Sequence, residues 1–166
     1  MIEPSRLLHT ALFEGLSETQ LSGVLAASEA QSVAAGSTLL REGEYSDSLF
    51  ILTSGTVEIT RRMGLEMNDV QGAPRRKTLV QLTAPQFFGE MGLLEEVERS
   101  ATVIARSDCQ VLELRRADFE RLAAADLDLA YRLVRNIAIV LASRLRSTDR
   151  DVLKLTAALS LALGNR

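Results

Sequence analysis

Histidine and cysteine are almost missing from this chain. Among its 166 residues His9 is the single histidine and Cys109 the single cysteine. One cysteine excludes an internal disulfide and suits a reducing compartment. One histidine, near the N-terminus in an apolar stretch, leaves histidine-based metal sites and a Ser-His-Asp machine with little to work on. His9 therefore reads as structural or exposed, and no metal is expected. No apolar run reaches the ~20 residues of a membrane span. The opening Met1-Ile2-Glu3-Pro4 lacks the basic start and apolar core of a signal peptide. The expected location is the cytoplasm. A large excess of one charge is also lacking: the net charge of −3 provides no general pull toward nucleic acid or anionic lipid.

What is present is ordinary for a soluble domain, with 46% apolar and 25% charged residues. The length suits one core with an appendage. Residues 5–28 read as helical, and Ser17-Glu18-Thr19-Gln20 has the spacing of a capping box. Phe13 and Leu16 are placed to tack this helix to the core. From 29 to 115, short runs rich in Val, Ile, Leu and Thr alternate with glycine-bearing turns. Strands are expected near 30–34, 38–42, 48–53, 55–62, 77–83, 101–106 and 109–115. Thr53-Ser54-Gly55 looks like a tight hairpin between Ile51-Leu52 and Val57-Ile59. Many short strands point to a sandwich or barrel-like roll. The stretch 61–77 carries five basic and two acidic residues and reads as a basic hairpin tip, either a solvated loop or a cover. Helices follow over 117–124 and 127–163, with Gly164 as a natural stop.

The long helix carries a seam. Val134, Ala138, Leu141, Leu145, Thr148, Val152, Leu155, Leu159 and Ala162 alternate in steps of four and three. This is a coiled-coil pattern with one polar member, Thr148. Leu133, Ile137 and Val140 form a second stripe in the first half only. One face can pack on the roll while the other meets a partner helix, and a projecting helix needs such a partner. A parallel homodimer through 127–163 is expected.

The chemistry gathers in residues 87–103. In Phe87-Phe88-Gly89-Glu90-Met91-Gly92-Leu93-Leu94 a glycine leads into a short helix, which exposes backbone N–H groups near residues 90–92. Gly89 and Gly92 permit close approach. Arg99 and Ser100 return at the next strand, where a guanidinium and a hydroxyl can grip the same anion. By residues alone two readings stand: an anion site, or an Arg99 that pairs with one of its neighbouring glutamates. The anion site also requires that Glu95, Glu96 and Glu98 face water.

The order FFGEMGLL…RSATV resembles the phosphate-binding cassette of the cyclic-nucleotide-binding domain family, and AAGSTLLREGEYSDSLFILTSGTVEI resembles that family's first strands. The likeness covers residues 12–125. It implies a mainly β fold, a double-stranded β-helix or jelly-roll-like β-roll, flanked by N-terminal helices and a long C-terminal dimerisation helix. The roll with its N-terminal helices spans 1–125 and the coiled-coil helix 126–166. It also implies that Glu90 binds the ribose 2′-hydroxyl. Arg99 pairs with the cyclic phosphate, helped by Ser100 and the backbone of Gly89, Met91 and Gly92. Leu82 and Met91 line the pocket.

The segment Ala142–Asp149 resembles the dimer helix of the family's bacterial cyclic-AMP receptor proteins, and Arg144, Thr148 and Asp149 are assigned to the ligand with it. Thr148 falls where a threonine meets the adenine amine, or else it merely fixes the register of the seam. Asp149 stands where a serine of the other subunit is usual. A carboxylate accepts from adenine's amine but opposes guanine's carbonyl, a mismatch of ~1–3 kcal/mol. Cyclic AMP is thus expected over cyclic GMP. Eighteen residues follow Thr148, too few for a helix-turn-helix domain, so no direct DNA binding is expected. The implied function is a non-enzymatic stand-alone cyclic-nucleotide sensor that signals through an unidentified protein. A non-binding scaffold, or a sensor of a cyclic dinucleotide that uses the basic tip, are the alternatives.

Overall fold

The computed structural model describes residues 7–8, 10–63 and 76–164. His9 and residues 64–75 of the basic tip lie outside that set. The helical reading of 5–28 is corrected. A short 3₁₀ turn, Ala11–Phe13, is followed by Gly15 in the left-handed region at φ 79°. The α-helix proper, α1, is Glu18–Ala27. Ser17 starts it: the Gln20 N–H donates to Ser17 Oγ at 3.2 Å and the Ser17 N–H to Gln20 Oε1 at 3.0 Å, a complete capping box. Phe13 and Leu16 are buried, as expected.

Ten strands follow: β1 Glu29–Val33, β2 Thr38–Leu40, β3 Tyr45–Ser46, β4 Ser48–Ser54, β5 Thr56–Arg62, β6 Arg76–Thr83, β7 Gln86–Phe88, β8 Val97–Glu98, β9 Thr102–Ala105 and β10 Cys109–Arg115. They form two four-stranded sheets, ordered β1-β10-β4-β7 and β2-β9-β5-β6, and a ribbon β3-β8. All pairings are antiparallel. With the helices at either end, this is the expected mainly β roll. The turn at Gly55 is not a hairpin. β4 and β5 belong to different sheets, so the chain turns a corner between them. Gly55 takes φ 93°, and a Cβ there would lie 2.5 Å from the Asp108 carbonyl oxygen. Only glycine lets the corner pass this close to backbone. β3, β7 and β8, of two or three residues, were not expected.

Strand β4 shows how the core is laid out. Leu49 and Ile51 join one apolar cluster with Phe13, Leu21, Phe87 and Leu114. Phe50 and Leu52 join another inside the roll with Val57, Phe88, Val103 and Val111. Both faces are buried, so the strand reads as a continuous apolar run rather than an alternation. Each such side chain contributes roughly 1.5–3 kcal/mol on burial.

Helix α2 is Glu90–Leu94, α3 is Arg116–Ala125 and α4 is Leu127–Gly164, 38 residues or about 57 Å. Asp126 caps α4, accepting from the Leu129 N–H at 3.0 Å, and the Gln20 side chain donates to Asp126 and Asp128 at 3.1 Å each. Leu129, Leu133 and Ile137 bury α4's first half on the helix-side cluster, with Val140 beside them. The buried Asn136 donates to the carbonyls of Leu12 and Glu14, both at 2.9 Å. Along the other stripe Val134, Leu145, Val152, Leu155 and Leu159 are exposed. No helix of the described residues is long and apolar enough to cross a membrane.

Candidate functional site

Strand β7 ends in Phe87 and Phe88, which point to opposite clusters and fix the turn that follows. Phe88 stacks on Phe50 at 5.6 Å between ring centroids. Gly89 then adopts φ 76°, and α2 begins. A Cβ on Gly89 would sit 2.7 Å from Arg99 Nη1, and one on Gly92 would sit 2.9 Å from the same atom. The two glycines therefore make room for one guanidinium. The Gly92 N–H is spent on the Gly89 carbonyl at 3.1 Å, so it is not one of the free donors expected near residues 90–92.

Arg99 is only 6% exposed. Its Nη1 donates to the Gly89 carbonyl at 2.8 Å, and its Nη2 to Ser48 Oγ at 3.1 Å and to Ser46 Oγ. The group lies over the Phe50 ring at 5.8 Å. Its Nε is buried without a partner. Burial pushes the guanidinium below the ordinary arginine range, while the carboxylates of Glu113, Asp47 and Glu90 act the other way. Glu95, Glu96 and Glu98 are all exposed, but Glu98 also lines the cavity described below. Among the described residues Arg99 forms no ion pair within 4.0 Å. A buried cation with an unmet N–H is costly. Such a group fits an incoming anion.

Glu90 is 4% exposed, and its Oε1 accepts from Arg144 Nη1 of α4. Arg144 also lies 5.8 Å over the Phe87 ring and donates to the Phe87 carbonyl at 3.4 Å. The long helix is thus tied to the turn that presents Glu90.

These groups share a cavity of about 660 Å³. This lies within the usual range for small-molecule sites. Gly89, Glu90, Met91, Gly92, Arg99, Ser100, Leu82, Arg144 and Thr148 all line it. Its apolar lining includes Leu79 and Val80 of β6 and Val152 and Leu155 of α4. Asp149 does not reach the cavity of its own chain, whereas Thr148 and Asp151 do. Successive helix residues diverge by ~100°, which turns Asp149 to another side. Sequence reading missed Ser46 and Ser48, which hold Arg99, and Lys77, Ser147 and Asp151 of the cavity wall. Lone hydroxyls and exposed charges carry no spacing signal that could have singled them out.

Residues 30–126 match the family described as Cyclic nucleotide-binding domain. Among curated relatives, glutaminase 1 of Bradyrhizobium diazoefficiens is 34% identical over 155 residues, 93% of this chain and 23% of that protein. The cyclic AMP receptor protein of Thermus thermophilus is 31% identical over 144 residues, 85% of this chain and 60% of that protein. The chain therefore spans well under two thirds of the length of these relatives. The crystal structure of Thermus thermophilus catabolite activator protein superposes with a TM-score of 0.73 at 31% identity, covering 88% of this chain and 63% of that one. Fold, cassette and family match coincide on the same residues, and the chain belongs to the cyclic nucleotide-binding domain family.

Proposed function

We propose that this chain is a non-catalytic cyclic-nucleotide sensor that takes cyclic AMP in the 660 Å³ cavity. The observation that carries the reading is Arg99, a buried guanidinium with an unpartnered Nε on the same wall as the buried carboxylate of Glu90. The cyclic phosphate meets Arg99, with Ser100 and the backbone of Gly89 and Met91 around it, and Gly92 contributes only the room left by its missing side chain. The ribose 2′-hydroxyl donates to Glu90. The base extends along α4 toward Leu82, Thr148 and the apolar lining of the cavity. Asp149, turned away from its own cavity, belongs to the ligand of a second copy across the exposed seam of α4. Its acceptor oxygens favour adenine's amine over guanine's carbonyl.

Glu90 is also the partner of Arg144. A sugar hydroxyl on Glu90 shares that carboxylate with the long helix, so occupancy and helix position are coupled. The coupling is as large as the ligand's difference in affinity between the two positions of α4. A partner protein in the cytosol reads the result from the helix faces or the basic hairpin tip. Isothermal titration of nucleotide-free protein with cyclic AMP and cyclic GMP tests this. Binding of cyclic AMP that is tighter than that of cyclic GMP supports the reading. No heat with either nucleotide overturns it.

A further inference from the structure

Behind Arg99 lies a second cavity, of about 360 Å³, and Arg99 and Leu40 line both. The smaller cavity opens between the β1 and β2 edges of the roll. Ser46 and Ser48, which accept from the guanidinium, line it together with Gln31 and Glu113, while its other carboxylate, the exposed Glu44, is paired with Arg41. Glu113 reaches it because β10 alternates. Leu112 and Leu114 pack on the helix side, while Val111 and Glu113 point into the roll. One oxygen of Glu113 accepts from Gln31 Nε2 at 2.8 Å. Glu113 is half-buried and stands off from Arg99 without a direct ion pair. Of the carboxylates whose field reaches Arg99, it acts most strongly, ahead of Asp47 and Glu90.

We propose that Glu113 is the standing counter-ion of Arg99 and sets the affinity of the site for its anionic ligand. The inference rests on the cyclic-nucleotide reading and deepens it. In the empty protein the Glu113 charge offsets the burial of the guanidinium. A bound phosphate provides a second negative charge on the opposite side of the same group. The two anions then repel each other through the roll, where screening by salt is weak. Glu113 thus stabilises the empty site and weakens the filled one. It acts through Arg99 and is a positioning residue, not a ligand contact. Glu95 and Glu96 face water, and Glu98, although it lines the larger cavity, is exposed to solvent that screens its charge.

The test is Glu113→Gln, which removes the charge and keeps an acceptor for Gln31. Cyclic AMP binding is titrated calorimetrically, and thermal unfolding is followed without nucleotide. The expected result is binding roughly tenfold tighter, the scale of two charges about 12 Å apart at an effective dielectric of about 20. It comes with a lower Tm for the empty protein. A merely structural role predicts weaker binding, so the sign alone discriminates. Gln31→Lys neutralises the same carboxylate in place and is expected to tighten binding as well, should Glu113→Gln fail to fold. Asp47→Asn, at an exposed position, is expected to give a smaller gain. Wild-type binding with equal or weaker binding in the folded variants overturns this inference alone. No binding of cyclic AMP or cyclic GMP by the wild type overturns the reading of the site and this inference with it.

Discussion

Arg144 of the long helix donates to Glu90 of the cassette turn, 54 residues away in sequence, and the acceptor is almost wholly buried. This ion pair joins the turn that carries the cassette to the long C-terminal helix. Its geometry lies between an exposed pair, worth ~0.2–1 kcal/mol, and a buried one, whose disruption costs ~3–5 kcal/mol. A double-mutant cycle of Arg144→Ala and Glu90→Gln, read by denaturant unfolding, is expected to give a coupling of about 1–3 kcal/mol. Additive effects would show that the two groups act independently.

Arg99→Leu is expected to remove the charge-assisted contact to the cyclic phosphate and weaken binding roughly ten- to 150-fold. The fold should survive. Leucine leaves the Gly89 carbonyl and the Ser46 and Ser48 hydroxyls without their donor, a loss of ~1–3 kcal/mol for each such group that stays buried, so a lower Tm accompanies the weaker binding. Calorimetric titration and a thermal melt of the same sample separate the two effects. Retained affinity would place the phosphate elsewhere.

Two glycines with positive φ give opposite outcomes. Gly89→Ala strains the backbone by ~1–2 kcal/mol and drives its Cβ against Arg99 Nη1, so affinity falls more than stability does. Gly55→Ala meets the Asp108 carbonyl and Cys109 instead, none of which lines the larger cavity. It should lower Tm sharply and leave the affinity of the remaining folded protein unchanged. Equal loss of binding in both variants would contradict this division.

Acid should loosen the start of α4. The Leu129 backbone N–H bound to the Asp126 carboxylate holds its pKa below the ordinary value, and the Gln20 amide adds to this. Arg132 and then Gln20 do the same for Asp128. Both groups are depressed on folding, so their stabilisation is full above about pH 4 and is lost as the pH falls through the folded values. Asp126→Asn is expected to flatten the acid limb of a Tm-against-pH curve while changing Tm little at pH 2. An unaltered acid limb would remove Asp126 from the account.

The exposed seam predicts self-association. Leu145→Glu and Leu155→Glu, at positions 62% and 66% exposed, should shift the protein to monomer in sedimentation velocity without altering its circular dichroism spectrum. A monomeric wild type would remove the seam as a dimer interface.

The roll was legible because its strands are separated by glycines and carry dense apolar runs, and the helix because its two stripes differ in length. β10 was read to the residue. The short strands β3, β7 and β8 were not, since two or three residues hold no period. Gly55 shows a deeper limit: a glycine between two apolar runs looks the same whether the chain folds back or changes sheet. The cassette was visible as a motif, and its residues line one cavity. The environment of Arg99 was not, because its hydroxyl acceptors precede it by 53 and 51 residues and come from the end of β3 and the start of β4. Local sequence suggested neighbouring glutamates as its counter-charges. Arg99 forms no ion pair with any of them, and the carboxylate proposed as its counter-charge, Glu113, comes from another strand.

Asn136 has a consequence for how movement leaves the molecule. By holding two carbonyls of the N-terminal segment, it ties directly to α4 a segment that also packs on the sheet residues Leu49, Ile51 and Leu114. Any tilt of the long helix is therefore carried to the opposite end of the chain as well. A fluorophore at Ser17 would register the same rotation as one on the projecting tip. A partner that grips only the first twenty residues could sense the state of the pocket without touching the strands that form it.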